Sequence, residues 1–353
     1  MKVNGKTVRA TRIQGTKIRL VIVPAQPAET LKALKPIVPN LTDTRDVVEL
    51  ALTSTVTAHG NSAVSEWLRC PTAHALRTQG IYGKVSPDWS QIGTLVHSGL
   101  AIEGMAALTG IDAQWQDMFD SPAIRQRYSI ENIAESNRLL RAYETEYDLE
   151  ICAGYGSEYK LIAIEHFLSS DHFGTEPYTA RVDTLLQHRP TSALVVVDTK
   201  TRASMPRIPD AELAAKLVTR PQFLGLAFLI RETFGQLPIV MVNFISKTAI
   251  PNFRRVPFAI APQLVDAWAE NHAAALVVKQ AMTGKSKSLP VYKNFNECAP
   301  DIGTPCWAFG WCHGDDKTRA EEYNCPSKQV QKKRKQEKAN HAGQEHDTKA
   351  RRS

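Results

Sequence analysis

Four consecutive apolar residues, Leu194 to Val197, run straight into Asp198, Thr199 and Lys200. A strand that is apolar at every position is buried on both faces, so this one belongs at the centre of a sheet covered on both sides. Leu161–Leu168 and Tyr178–Leu186 share its strand-like composition. The polar stretch QHRPTS between the second and third of these segments suits a hairpin turn. Helical patterns follow at Asp210–Val218 and Pro221–Phe234, then strands at Ile239–Ser246 and Arg254–Ile260 and a helix at Ala261–Met282. Pro221 fits the first turn of its helix, where a missing N–H costs nothing. Upstream, Ile92, Leu95, Val96, Leu100 and Ile102 recur at near-helical spacing within Trp89–Leu108, and Ile130–Tyr147 reads as a long polar helix. SAVSEWLRCP predicts a short helix ending at Pro71, because the residue before a proline resists helical geometry. The expected fold class is α/β, a mixed central β-sheet flanked by helices.

The chain has 353 residues, enough for one large domain or two modest ones, and 43% of them are hydrophobic. Residues 1–60 read as an appendage of unknown role, with a strand at Lys17–Val23 and a short helix near Asp46–Leu52. Residues 61–325 form the main domain, ending in a cysteine-rich segment, and 326–353 a basic tail. The net charge of +7 is concentrated in that tail, which holds nine Lys and Arg against three Asp and Glu. Its composition predicts disorder, serving either to hold phosphates non-specifically or to keep the chain soluble. The folded part is close to neutral, so charge alone does not establish a nucleic-acid binder. No apolar run is long enough to span a bilayer, and the N-terminus lacks a secretory signal. A cytoplasmic protein without a membrane partner is expected.

Asp198 and Lys200 lie two apart on one strand and share a face. Asp183 sits on the neighbouring hairpin strand, within reach if the two pair. Carboxylates at the end of a buried strand need a cation or a metal, because isolated buried charge is very costly. Oxygen ligands of this kind suit Mg²⁺ or Mn²⁺, which polarise a phosphate and activate water. The bland alternative is an ordinary ion pair: a D-x-K triplet arises by chance roughly once in a chain of this length. The preceding apolar strand, the partner Asp and the following helix are the context that favours catalysis.

The segments SEWLRCP, GTLVHSGL, IEHF, ARVD, VVVDTKT and RPQFLGLAF, in this order from about Ser65 to Cys312, resemble the RecB-like branch of the PD-(D/E)XK nucleases. They are similar in particular to the iron–sulfur exonucleases of CRISPR adaptation systems, AddB-type nucleases and phage-encoded relatives. The resemblance implies a restriction-endonuclease-like core that hydrolyses DNA phosphodiester bonds, as an exonuclease on ends or single strands. It implies recombination or replication proteins as partners and a bacterial or phage-infected cell as the setting. By position, His97, Asp183 and Asp198 would be metal ligands, together with the carbonyl of Thr199. Lys200 would be the catalytic lysine, Glu165 the acidic residue upstream of the hairpin, and Gln222 the glutamine on the following helix. Two positions depart from the pattern: Ala180 stands where the family has glycine, and Leu226 where it has tyrosine. Leu226, together with the wide spacing of Cys298 and Cys306, leaves open a non-catalytic nucleic-acid- or protein-binding subunit that retains the nuclease fold.

Six cysteines are present, four of them between Cys298 and Cys325. Such crowding in a chain without a secretory signal points to metal or cluster ligation rather than disulfides. The resemblance implies a 4Fe–4S cluster held by Cys70, Cys298, Cys306 and Cys312, which would clip distant segments together. A Zn²⁺ site on Cys298, Cys306, Cys312 and Cys325 is the alternative. Cys152 is expected to be an apolar filler. Trp307, Phe309 and Trp311 would pack near the cluster or stack on bases.

Overall fold

The structure is a computed structural model that describes residues 2–3, 6–7, 34–52, 66–67, 70–78, 81–83, 88–147, 158–174, 177–283 and 323–324. Five strands form the main sheet: β1 (Tyr159–Ser170), β2 (Tyr178–His188), β3 (Leu194–Arg202), β4 (Ile239–Ser246) and β5 (Phe253–Ala259). The principal helices are α1 (Thr44–Leu52), α2 (Pro71–Thr78), α3 (Asp88–Thr109), α4 (Trp115–Asp120), α5 (Pro122–Arg127), α6 (Ile130–Tyr147), α7 (Asp210–Leu217), α8 (Pro221–Phe234) and α9 (Pro262–Thr283). The chain divides into two compact units, residues 1–61 with 87–273 and residues 62–86 with 274–353.

In the first unit the sheet order is β1-β2-β3-β4-β5, antiparallel except for the parallel pair β3–β4. A parallel pair needs a long crossover, here α7 and α8. This is the α/β class expected, a mixed sheet flanked by helices. The apolar run on β3 has the physical cause inferred for it. Leu194 and Val196 belong to one core cluster with α8, while Val195 and Val197 belong to another on the opposite face. Burial at every position is the sum of two period-two patterns.

On one face lies α8, buried from Phe223 through Ile230. Pro221 opens it, and Gly235, at φ 74°, closes it in the left-handed region. On the other face α3 packs its Leu95, Ile102 and Met105 with Leu139, Leu140 and Tyr143 of α6. By length and composition Ser90–Thr109 is apolar enough to cross a bilayer. Here its Leu95, Val96, Ala101, Ile102 and Met105 are buried in a core cluster with residues of α1, α4, α5 and α6. Gly99 lets it approach Leu140, and Gly104 lets it approach Ile164 on β1, since a Cβ at either would collide.

Val47, Val48 and Ala51 of α1 are buried in the same cluster as α3, and Ser98 donates to the Ala51 carbonyl at 2.9 Å. Ile37 N donates to Ile162 O at 2.7 Å. Residues 34–52 of the stretch read as an appendage thus contribute to the core. Pro71 opens α2 as well as following the helical Glu66 and Trp67, so the helix expected to stop there is succeeded by another. The short helices α4 and α5 have no counterpart among the sequence expectations. In the second unit Trp67, Cys70 and Leu76 are buried, and Tyr82–Gly83 pairs antiparallel with Tyr323–Asn324. The strand expected at Lys17–Val23, Cys152, Cys298, Cys306, Cys312, Cys325, Trp307, Phe309, Trp311 and the basic tail lie outside the described residues.

Candidate active site

The β2–β3 ladder ends at the pair Thr184–Val197. Had the register continued, Asp183 and Asp198 would have faced each other next. Backbone groups freed where a ladder opens must find partners. The N–H of Thr199 finds Asp183, donating to its Oδ2 at 3.0 Å. The same oxygen lies 3.3 Å from Nδ1 of His97 on α3. Gly93, one turn before His97, admits close approach to β3, since a Cβ there would sit 2.9 Å from Thr201 Oγ1.

Asp198, 5% exposed, is held from the α8 side. Its Oδ1 accepts from Lys200 Nζ at 2.9 Å and from Gln222 Nε2 at 2.7 Å. Its Oδ2 is also 2.9 Å from Lys200 Nζ, yet it is buried without a directed hydrogen bond. Gln222 is the second residue of α8, so the crossover that closes the parallel pair also delivers this amide to β3.

Glu165 reaches the site through a break in the pleat. Ile164 packs towards α3, whereas Leu168 belongs to the α8-side cluster, although strict alternation would put both on one face. Between them Glu165 takes φ 47°, a left-handed conformation rare outside glycine. On β2 the pattern breaks opposite it: Val182 and Leu185 share the α8-side cluster while Asp183 and Thr184 line a cleft with His97, Leu100, Ala101, Glu165 and Thr199. Irregularities of this kind re-aim side chains. Arg181 Nε lies 2.7 Å from Glu165 Oε2.

These environments push the titrations apart. Burial opposes charge on Asp183, but the charge of His97, its hydrogen bond, Lys200 and the Thr199 N–H prevail and hold it down to about 2. Burial raises Asp198 to about 6 against the pull of Lys200, with Asp183 adding repulsion. Glu165 is pushed up to about 7 by burial and then by Asp183, against Arg181. Burial disfavours the charged form of His97, yet Asp183 raises it. Lys200 follows the same logic: burial works against its charge, and Asp198 and Asp183 raise it.

All seven nuclease-site residues inferred from sequence therefore lie on neighbouring elements of one unit. Asp198, Lys200 and Gln222 are joined by hydrogen bonds, as are Asp183, His97 and Thr199 through Asp183. The donor set fits a hard divalent ion in kind, with carboxylates, an imidazole and a buried Asp198 oxygen that takes no directed hydrogen bond. Among the described residues no three His, Cys, Asp or Glu side chains converge as a ready-made metal cage. Sequence reasoning missed a second polar group beneath the site. Asn243 of β4, fully buried, donates through Nδ2 to Tyr143 Oη at 3.0 Å and Thr199 Oγ1 at 3.4 Å, and Arg255 Nη2 donates to the same Tyr143 oxygen at 2.9 Å. The signal was available: Asn243 interrupts the otherwise apolar run IVMVNFI.

Neither a family model nor a curated protein matches this chain. Among solved structures it is similar to a candidate exonuclease from Eubacterium rectale, at TM-score 0.46 and 13% identity over 73% of this chain and 93% of that one. It is similar also to the protein SSO0001, at TM-score 0.27 and 11% identity over 67% of this chain and 85% of that one.

Proposed function

We propose that the chain is a metal-dependent DNA nuclease that hydrolyses phosphodiester bonds at DNA ends or in single strands. The observation that carries this reading is the opened β2–β3 ladder, which leaves Asp183 and Asp198 at its mouth with Lys200 and Gln222 on one and His97 on the other. Asp183, Asp198, His97 and the Thr199 carbonyl would hold Mg²⁺ or Mn²⁺. When bound, such an ion polarises the phosphate and makes water a better nucleophile at neutral pH. Lys200, cationic and 39% exposed in its side chain, stabilises negative charge developing on the phosphate. Gln222 fixes the Asp198 carboxylate, and Glu165 faces the cleft where it can hold the attacking water.

The second reading, a binding subunit that retains the fold, draws on the lack of a converged ligand cage among the described residues. Incubating purified protein with labelled single- and double-stranded DNA and Mn²⁺ separates the two. Degradation by wild type and its loss in Lys200→Ala support the nuclease. No Mn²⁺-dependent degradation, or undiminished degradation by Lys200→Ala, overturns it.

We propose further that Cys70, Cys298, Cys306 and Cys312 hold a 4Fe–4S cluster, with zinc as the alternative. Two facts support this. Cys70 is a buried free thiol, and the Tyr82–Gly83 pairing with Tyr323–Asn324 joins its segment to the C-terminal one.

A further inference from the structure

Phe167 is a large aromatic residue left 50% exposed on β1, an edge strand of the sheet. Its cross-strand partner is Arg181 of β2. Leu168 and Val182, the next residues along, point into the α8-side core, so Phe167 and Arg181 face the opposite side, that of the cleft. Arg181 is anchored there, its Nε 2.7 Å from the Glu165 carboxylate. Glu165 and Asp183, each two residues along its strand from this pair, line the cleft, a step of about 7 Å. An exposed aromatic ring and an anchored guanidinium thus share one face of the sheet, about one strand repeat from the carboxylates.

Exposed apolar residues scattered singly need no explanation, and Ile130 and Ile250 are more exposed than Phe167. Phe167 differs in its neighbours. A flat π-surface beside an anchored arginine is the equipment that single-stranded nucleic-acid sites use, because every base has a face to stack and every linkage a negative charge. A paired base inside a duplex offers no free face.

We propose, building on the nuclease reading, that Phe167 and Arg181 form a nucleobase subsite that stacks an unpaired base of DNA beside the cleft and so favours single-stranded over duplex substrate. The test measures binding without turnover: fluorescence anisotropy of a labelled oligothymidylate and a labelled duplex, in EDTA, with wild type, Phe167→Ala, Phe167→Trp and Lys200→Ala. Phe167→Ala should weaken single-strand binding about tenfold or more, the range of one lost base stack. It should leave duplex binding unchanged, while Phe167→Trp restores wild-type affinity. Circular dichroism confirms that each variant is folded, as expected for a half-exposed side chain. Equal single-strand binding by wild type and Phe167→Ala, or no oligonucleotide binding by wild type, overturns the subsite. Stacking-dependent binding without cleavage supports the subsite while refuting the nuclease reading; cleavage with no dependence on Phe167 does the reverse.

Discussion

Tyr143→Phe removes one oxygen from the polar group beneath the site and leaves the ring in place. Tyr143 is fully buried, and its hydroxyl oxygen accepts from Asn243 Nδ2 at 3.0 Å and from Arg255 Nη2 at 2.9 Å. Phenylalanine fills the same volume apart from the oxygen, so no cavity contribution arises. The cost comes from the donors left behind. Asn243 is fully buried and would keep only the 3.4 Å contact to Thr199 Oγ1, a loss of about 1–3 kcal/mol. Arg255 is half-buried and keeps its position 3.6 Å over the Tyr147 ring, which limits its loss to about 1 kcal/mol. The expected destabilisation is about 2–4 kcal/mol, read from urea unfolding at fixed m-value. Asn243→Leu removes the stranded amide, so the double variant should be less destabilised than the sum of the singles by about 1 kcal/mol or more. A Tyr143→Phe variant within about 0.5 kcal/mol of wild type, or an additive cycle, would show that this network does not support the site.

Two further outcomes follow from a part-buried carboxyl away from the cleft and from the cysteines. Glu103 accepts from Trp115 N at 2.8 Å, yet burial raises its carboxyl above the usual range. A raised carboxylate binds protons more readily in the folded state, so its stabilising contribution is present below the unfolded value and is lost as pH rises through the folded one. Glu103→Gln keeps the acceptor and should flatten that part of the stability–pH curve; an unchanged curve refutes the assignment. Protein purified without oxygen should be brown and carry iron, and Cys70→Ser should lose both iron and colour. Stoichiometric zinc without iron would eliminate the cluster.

How far the sequence could be read depended on how local the cause was. The bounds of α6, α8 and β4 coincide with their expected ranges because periodicity, Pro221 and Gly235 act within a turn of the chain. The short helices α4 and α5, six residues each, carry too few periods to register. The core role of Val47 and Val48 is a tertiary fact, since an amphipathic nine-residue helix looks alike on a surface or in a core. At the site, strand parity showed that Asp198 and Lys200 share a face, and only the surrounding segments marked them as more than an ordinary ion pair. The pairing of Asp183 with His97 and Thr199 was not legible, because it depends on where the β2–β3 ladder stops. Arg181 and Phe167 stand in the segments ARVD and IEHF, but only register shows them to be partners.

The break in the pleat at Glu165 yields a test that separates backbone from side chain. Glycine in a regular strand is less stable than alanine by about 0.5–1 kcal/mol, because it has more freedom to lose. At φ 47° the order reverses: alanine bears the Cβ penalty of the left-handed region, about 1–2 kcal/mol, and glycine does not. Glu165→Gly and Glu165→Ala both delete the carboxylate and its contact with Arg181, so those losses cancel between them. The glycine variant should therefore be the more stable by about 1 kcal/mol in thermal or urea unfolding, while both lose nuclease activity alike if the carboxylate holds the attacking water. An alanine variant more stable than the glycine one would mean that β1 runs through Glu165 as a regular strand. The carboxylate would then have no backbone reason to turn into the cleft, and its place in the site would be lost with it.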